Sequence, residues 1–206
     1  MENKEIRAFN FEVRAEFDED RGSILTGRPI VYNEPTDMGW YREIIDDGAL
    51  DNTDLRDVRF LINHNTDMVP LARSRNNNSN STMQLEVVSG SGLDIRVNLD
   101  TENNTEAKNL YSAVERGDLD GMSFMFTVGE DKWENLDSDY PTRHILSFSK
   151  VFEVSAVTFP AYEKTSIQAR GLSEALDSAK ISLESEKARL RQIEEKRKKI
   201  KLMLEL

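Results

Sequence analysis

The chain has 206 residues, of which 38% are apolar and 32% charged, and its formal net charge is −11. That length and balance fit one sizeable globular domain with an appendage, and the acidic excess argues against nucleic-acid binding through phosphate neutralisation. Cysteine is absent, which excludes disulfides, thiolate metal sites and cysteine nucleophiles; only His64 and His144 could supply an imidazole.

The N-terminal stretch Met1–Phe17 lacks the apolar segment of a signal peptide, and nowhere does an apolar run reach the roughly 18 residues of a membrane span. Residence in the cytoplasm, away from membranes, is the expectation. Alternating or continuous apolar runs predict strands at Ile6–Phe17, Ile24–Tyr32, Val58–Asn63, Met83–Val88 and Leu93–Leu99. No strand is predicted between the second and third of these. Asn76–Ser81 is a polar turn. Thr101–Arg116 then places Ala107, Leu110, Tyr111 and Val114 at helical spacing, with Thr101 as the expected cap and Gly117 as the stop. Strands resume at Met122–Val128, Ile145–Phe148 and Val151–Phe159. So many strands with so few helices suggest a barrel or sandwich with helices packed outside it.

After a Pro-containing exit, Phe159–Gly171, the character changes. Residues 1–170 carry a net charge of −13 and residues 171–206 a net charge of +2. Leu176, Leu183 and Leu190 recur at heptad spacing, with Ala179, Ile193, Ile200 and Leu204 filling a second stripe. The predicted domains are therefore 1–170 and a helical tail at 171–206. A partner-docking helix is the preferred reading of that tail, and packing on its own core is the alternative.

Three segments place a polar group where the pattern calls for an apolar one. His64 follows the strand Val58–Asn63, and alternation would set it on one face with Phe60 and Ile62. Ser123 is the lone hydroxyl in Met122–Phe126, behind the glycine-bracketed turn Gly117–Gly121. Glu153 interrupts Val151–Phe159, on the face expected for Val151 and Val157. Burying a carboxylate costs several kcal/mol unless it is paired, and an imidazole is a natural partner. A serine nucleophile needs a base, and the base needs an acid to fix its tautomer. Patterning alone leaves each residue open to a purely structural explanation.

Taken together, the three segments resemble the prohead protease family of tailed phages, which is distantly similar to herpesvirus assemblin. Asn63-His64 matches the family's Asn-His pair, Gly117–Phe126 its nucleophile block, and Glu153–Tyr162 its Glu-Val-Ser block, in the same order over about residues 5–170. Met125 and Leu71-Ala72-Arg73 depart from the family pattern, which often has glycine at the middle position of each. The resemblance implies an α+β fold: a mainly antiparallel, assemblin-like β-barrel core with surrounding helices, plus the C-terminal amphipathic helix. It implies a serine endopeptidase with Ser123 as nucleophile, His64 as base and Glu153 as third member, His144 being the rival for that last role. No metal or cofactor is implied.

The implied substrates are the scaffold, the major capsid protein precursor and the enzyme itself, cut inside the assembling prohead in the host cytoplasm, with self-cleavage near Thr165–Leu172. A homodimer is a further expectation from the resemblance. Arg73 and Arg96 are candidate electrostatic contributors. The reading from another class is a non-catalytic scaffold or capsid-assembly chaperone that binds through the barrel and the helix.

Overall fold

Eleven strands and two helices make up the described part of the computed structural model, residues 4–9, 13–158 and 166–204. In chain order the strands are β1 (Lys4–Phe9), β2 (Arg14–Asp18), β3 (Gly22–Val31), β4 (Thr36–Asp37), β5 (Arg42–Ile45), β6 (Asp57–Ile62), β7 (Ala72–Arg75), β8 (Met83–Val88) and β9 (Gly92–Leu99). Helix α1 (Thr105–Glu115) precedes β10 (Gly121–Glu134) and β11 (Thr142–Val157), and α2 (Ser166–Leu204) follows.

The strands form two sheets. The first has seven strands and runs β1-β10-β11-β5-β4, with β6 also on β11 and β7 on β6. The second is an antiparallel set of four, β2-β3-β9-β8. The expected α+β, strand-dominated architecture is present. The expected closed barrel is not: among the described residues the hydrogen-bond pairing leaves two separate sheets. Two of the pairings in the larger sheet are parallel, because β5 and β6 both lie along β11, one near its start and one near its end.

Alternation along β10 explains why the sheets close on one another. Met122, Phe124 and Phe126 are fully buried in a core shared with Leu25, Val97 and Phe148. Phe126 and Phe148 meet edge-on with centroids 4.8 Å apart, and each such ring stabilises the fold by roughly 1.5–3 kcal/mol through burial alone. The β10–β11 hairpin carries several register shifts. One falls at Gly129, where a side chain would lie 2.6 Å from the Ser147 hydroxyl, so the close approach of the strands requires glycine.

Helix α1 starts later than predicted. Asn104, not Thr101, caps it, accepting from the amides of Glu106 at 3.0 Å and Ala107 at 3.3 Å. The Thr101 hydroxyl is instead bonded to Ser23 at 2.8 Å. Gly117 ends the helix at φ 73, as predicted. Part of the predicted extended exit is helical, since α2 begins at Ser166 and runs through Gly171; Phe159–Thr165 lie outside the described residues. Among those described, no helix is long and apolar enough to cross a membrane.

Helix α2 lies against β1 and the loop end of the β10–β11 hairpin. Ala179 and Leu183 pack with Tyr41 and Trp133 in a second apolar cluster. Beside it runs a buried ionic network: Arg7 pairs with Glu5 and Glu43, and Arg143 pairs with Glu5, Glu43 and Asp131. Ser178 donates to Glu5 at 3.1 Å and Ser182 to Asp131 at 2.8 Å, so the helix is tied to this network. Burial opposes ionisation of Glu5, but the charges and hydrogen bonds of Arg7 and Arg143 outweigh it and hold the carboxyl below its ordinary range. The inner turns of α2 therefore pack on the chain's own core, while Leu190 and Ile200 further out are exposed.

Candidate active site

The end of β6 sets the geometry. Asn63 and His64 both adopt positive φ, 50 and 56, so the strand stops at Ile62 and the predicted alternation stops with it. Left-handed backbone costs a non-glycine residue about 1–2 kcal/mol, Asn and His tolerating it better than most. Contacts with the end of β11 hold the turn. The Asn63 amide donates to the Ala156 carbonyl at 3.0 Å. Its side chain donates to the Thr158 hydroxyl at 3.1 Å and accepts from the Thr158 amide at 3.0 Å. The His64 amide donates to the Ser155 hydroxyl at 3.1 Å.

This turn swings the imidazole onto Glu153 rather than onto the Phe60 face. His64 Nδ1 lies 2.6 Å from Glu153 Oε1, and the two side chains are only 5% and 3% exposed. The other carboxyl oxygen, Oε2, accepts from Ser155 Oγ at 2.5 Å. A carboxylate accepts at Nδ1 only if that nitrogen bears the proton, which leaves the lone pair on Nε2. His64 Nε2 is buried and has no hydrogen-bond partner among the described residues.

The face of Glu153 also differs from the prediction. Met125 pairs with Glu153 but Phe126 pairs with Val151, so Phe152 is an inserted residue that reverses the alternation. Val151 consequently joins the core, and Glu153 shares the opposite face with Ser155.

Ser123 sits on β10 directly across from Ser155. Cross-strand partners share a face with Cα atoms about 5 Å apart, so the Ser123 hydroxyl rises beside the residue that receives the His64 amide. It is fully buried and donates to the Arg7 carbonyl at 2.8 Å. No hydrogen bond joins it to His64 among the described residues.

His144 is elsewhere. Its Nδ1 lies 2.8 Å from Asp46 and its Nε2 3.6 Å from Glu134. It is nine residues before Glu153 on the same strand, a separation of roughly 30 Å at 3.3 Å per residue. Arg73 is paired with Asp57, and Arg96 with Asp18, at partly exposed positions. The last motif residues, Phe159–Tyr162, lie outside the described residues. Ser155 lies inside the Glu153–Tyr162 block without a role that the sequence reveals; its place two residues after Glu153 is the one signal that both share a face. Among the described residues no cluster of three or more His, Asp or Glu side chains is placed to hold a metal ion.

A carboxyl-bound imidazole with a free Nε2, one strand from a buried serine, is an arrangement that serine hydrolases use for acyl transfer. The family model of caudovirus prohead serine proteases matches residues 9–178, and the chain belongs to that family. It is therefore a serine protease of phage capsid maturation, a family whose substrates are capsid precursors cut within the assembling prohead. No curated protein and no solved structure matches the chain.

Proposed function

We propose that Ser123, His64 and Glu153 form the catalytic triad of a prohead endopeptidase that cleaves scaffold, the major capsid protein precursor and its own tail. The observation that carries this reading is the Glu153–His64 pair with its unpartnered Nε2. The Ser123 hydroxyl turns from the Arg7 carbonyl toward Nε2, loses its proton to His64 and attacks the peptide carbonyl. His64 passes that proton to the leaving amine, and a water activated the same way releases the acyl group. Glu153 keeps Nδ1 protonated and stabilises the imidazolium. The separation of His144 from Glu153 supports the acid, not the second imidazole, as third member.

Residues 1–170 act in this reading as the protease domain, and 171–206 as a tail that recruits it, the exposed apolar positions Leu190 and Ile200 docking on scaffold or capsid precursor. Self-cleavage near Thr165–Leu172 frees the tail, and a homodimer is the assembled form. Ser123→Ala tests the proposal. Capsid precursor should stay uncut while the variant folds and enters heads normally; normal processing with Ser123→Ala would remove Ser123 as the nucleophile.

A further inference from the structure

We propose that Ser155 is a positioning residue of this site, acting through both Glu153 and His64. The inference rests on the triad reading and goes beyond it. One hydroxyl makes two bonds: Ser155 Oγ accepts from the His64 amide at 3.1 Å and donates to Glu153 Oε2 at 2.5 Å. Glu153 Oε1 in turn meets His64 Nδ1 at 2.6 Å. The three groups close a ring that begins at the main chain of His64 and ends on its own imidazole.

Each bond in the ring removes one freedom. Ser155 has a single hydroxyl proton. Because its oxygen already accepts from the amide, that proton is free to point at Glu153. The donor at Oε2 stops the carboxyl from rotating, so Oε1 stays on Nδ1 and the tautomer with the lone pair at Nε2 is kept. The bond to the amide fixes the left-handed turn that carries the imidazole. Ser155 is fully buried, so no bulk water replaces it. Its Cα pairs with that of Ser123, and the same residue therefore sets the distance between the base and the nucleophile strand. Alanine would fill the space nearly as well; the hydroxyl is what the ring uses.

The test measures the labelling rate of the full chain by a fluorophosphonate probe, which needs no knowledge of the cleavage site. Peptide mapping should place the label on Ser123. Ser155→Ala should slow labelling roughly 10–100-fold, the loss common when the group orienting a ligated or catalytic imidazole is removed. Ser155→Cys keeps the shape but offers a weak donor, and should slow it comparably; this variant carries the comparison should the alanine variant not fold. In a Glu153→Gln background, Ser155→Ala should cost no more than about twofold, because residues acting as a unit are not additive. The far-downfield proton signal of the His64–Glu153 bond should be present in the wild type and lost in Ser155→Cys.

Equal losses in both backgrounds, or a cysteine variant that labels at the wild-type rate, would overturn the assignment and leave a merely structural serine. The triad reading fails differently: labelling that survives Ser123→Ala, or that maps to Ser155, would sink it.

Discussion

Asn63 carries as much of the site's geometry as the three side chains of the proposed triad do. It takes up the left-handed conformation that ends β6, and its amide side chain clips the turn to Thr158 through two hydrogen bonds. Replacing it with alanine removes both bonds and puts a less tolerant residue at positive φ. Asn63→Ala should lower unfolding free energy by about 1–2 kcal/mol. It should also slow fluorophosphonate labelling at least tenfold, because the imidazole loses its anchor; denaturant titration and labelling kinetics on one sample read both effects. At this scale the sequence showed which residues were out of place: His64, Ser123 and Glu153 each broke an apolar pattern. It did not show how they met. The turn at Asn63-His64 and the inserted Phe152 both reverse strand alternation, and a period-two reading cannot see a residue that changes the period.

Among the elements, β1, β5, β10 and β11 meet around four buried charges. Glu5, Arg7, Glu43 and Arg143 are each no more than 3% exposed. Such a network is stable only while its charges balance, because a lone buried carboxylate loses several kcal/mol of solvation. Arg143→Met leaves Arg7 as the one cation of the network paired with Glu5 and Glu43, and removes the ion pair of Asp131. It should destabilise the protein by about 3–5 kcal/mol, measured by urea unfolding. The double variant Glu43→Gln with Arg143→Met should recover part of that loss. β8, β9 and α1 were readable because their apolar spacing is local. β4, β5 and β7 were not, since each is four residues or fewer and is held by a distant strand. The two runs at Ile145–Phe148 and Val151–Phe159 proved to be a single strand, β11, through Val157; the polar pair Ser149 and Lys150 separates their apolar patterns without ending the strand.

For the molecule as a whole, acid should be the first stress to loosen it. Glu5 is held below its ordinary value by Arg7 and Arg143, against the opposing effect of burial, and the Arg73 hydrogen bond lowers Asp57. A carboxyl whose folded pKa is depressed stabilises the fold above its unfolded value and loses that contribution as pH falls through the folded one. Melting temperature should therefore stay level near neutrality and decline below about pH 4.5, the unperturbed value for Glu5. Arg143→Met should flatten that acid limb, since Glu5 would then lose one of the charges that depress it. The heptad pattern of the tail identified a helix but not its two fates. Ala179 and Leu183 are covered by the core, while Leu190 and Ile200 are left open, a division made by where β1 and the hairpin end.

The chain's two tryptophans, Trp40 and Trp133, stack on each other at 5.8 Å beneath α2, and the Trp133 indole donates to Ser182 of that helix at 3.0 Å. All intrinsic indole emission thus arises at one spot, the seat of the tail. Any event that lifts the tail away will redden the emission of the unlabelled enzyme, so the proposed release of the tail can be followed by light alongside the appearance of cut capsid protein.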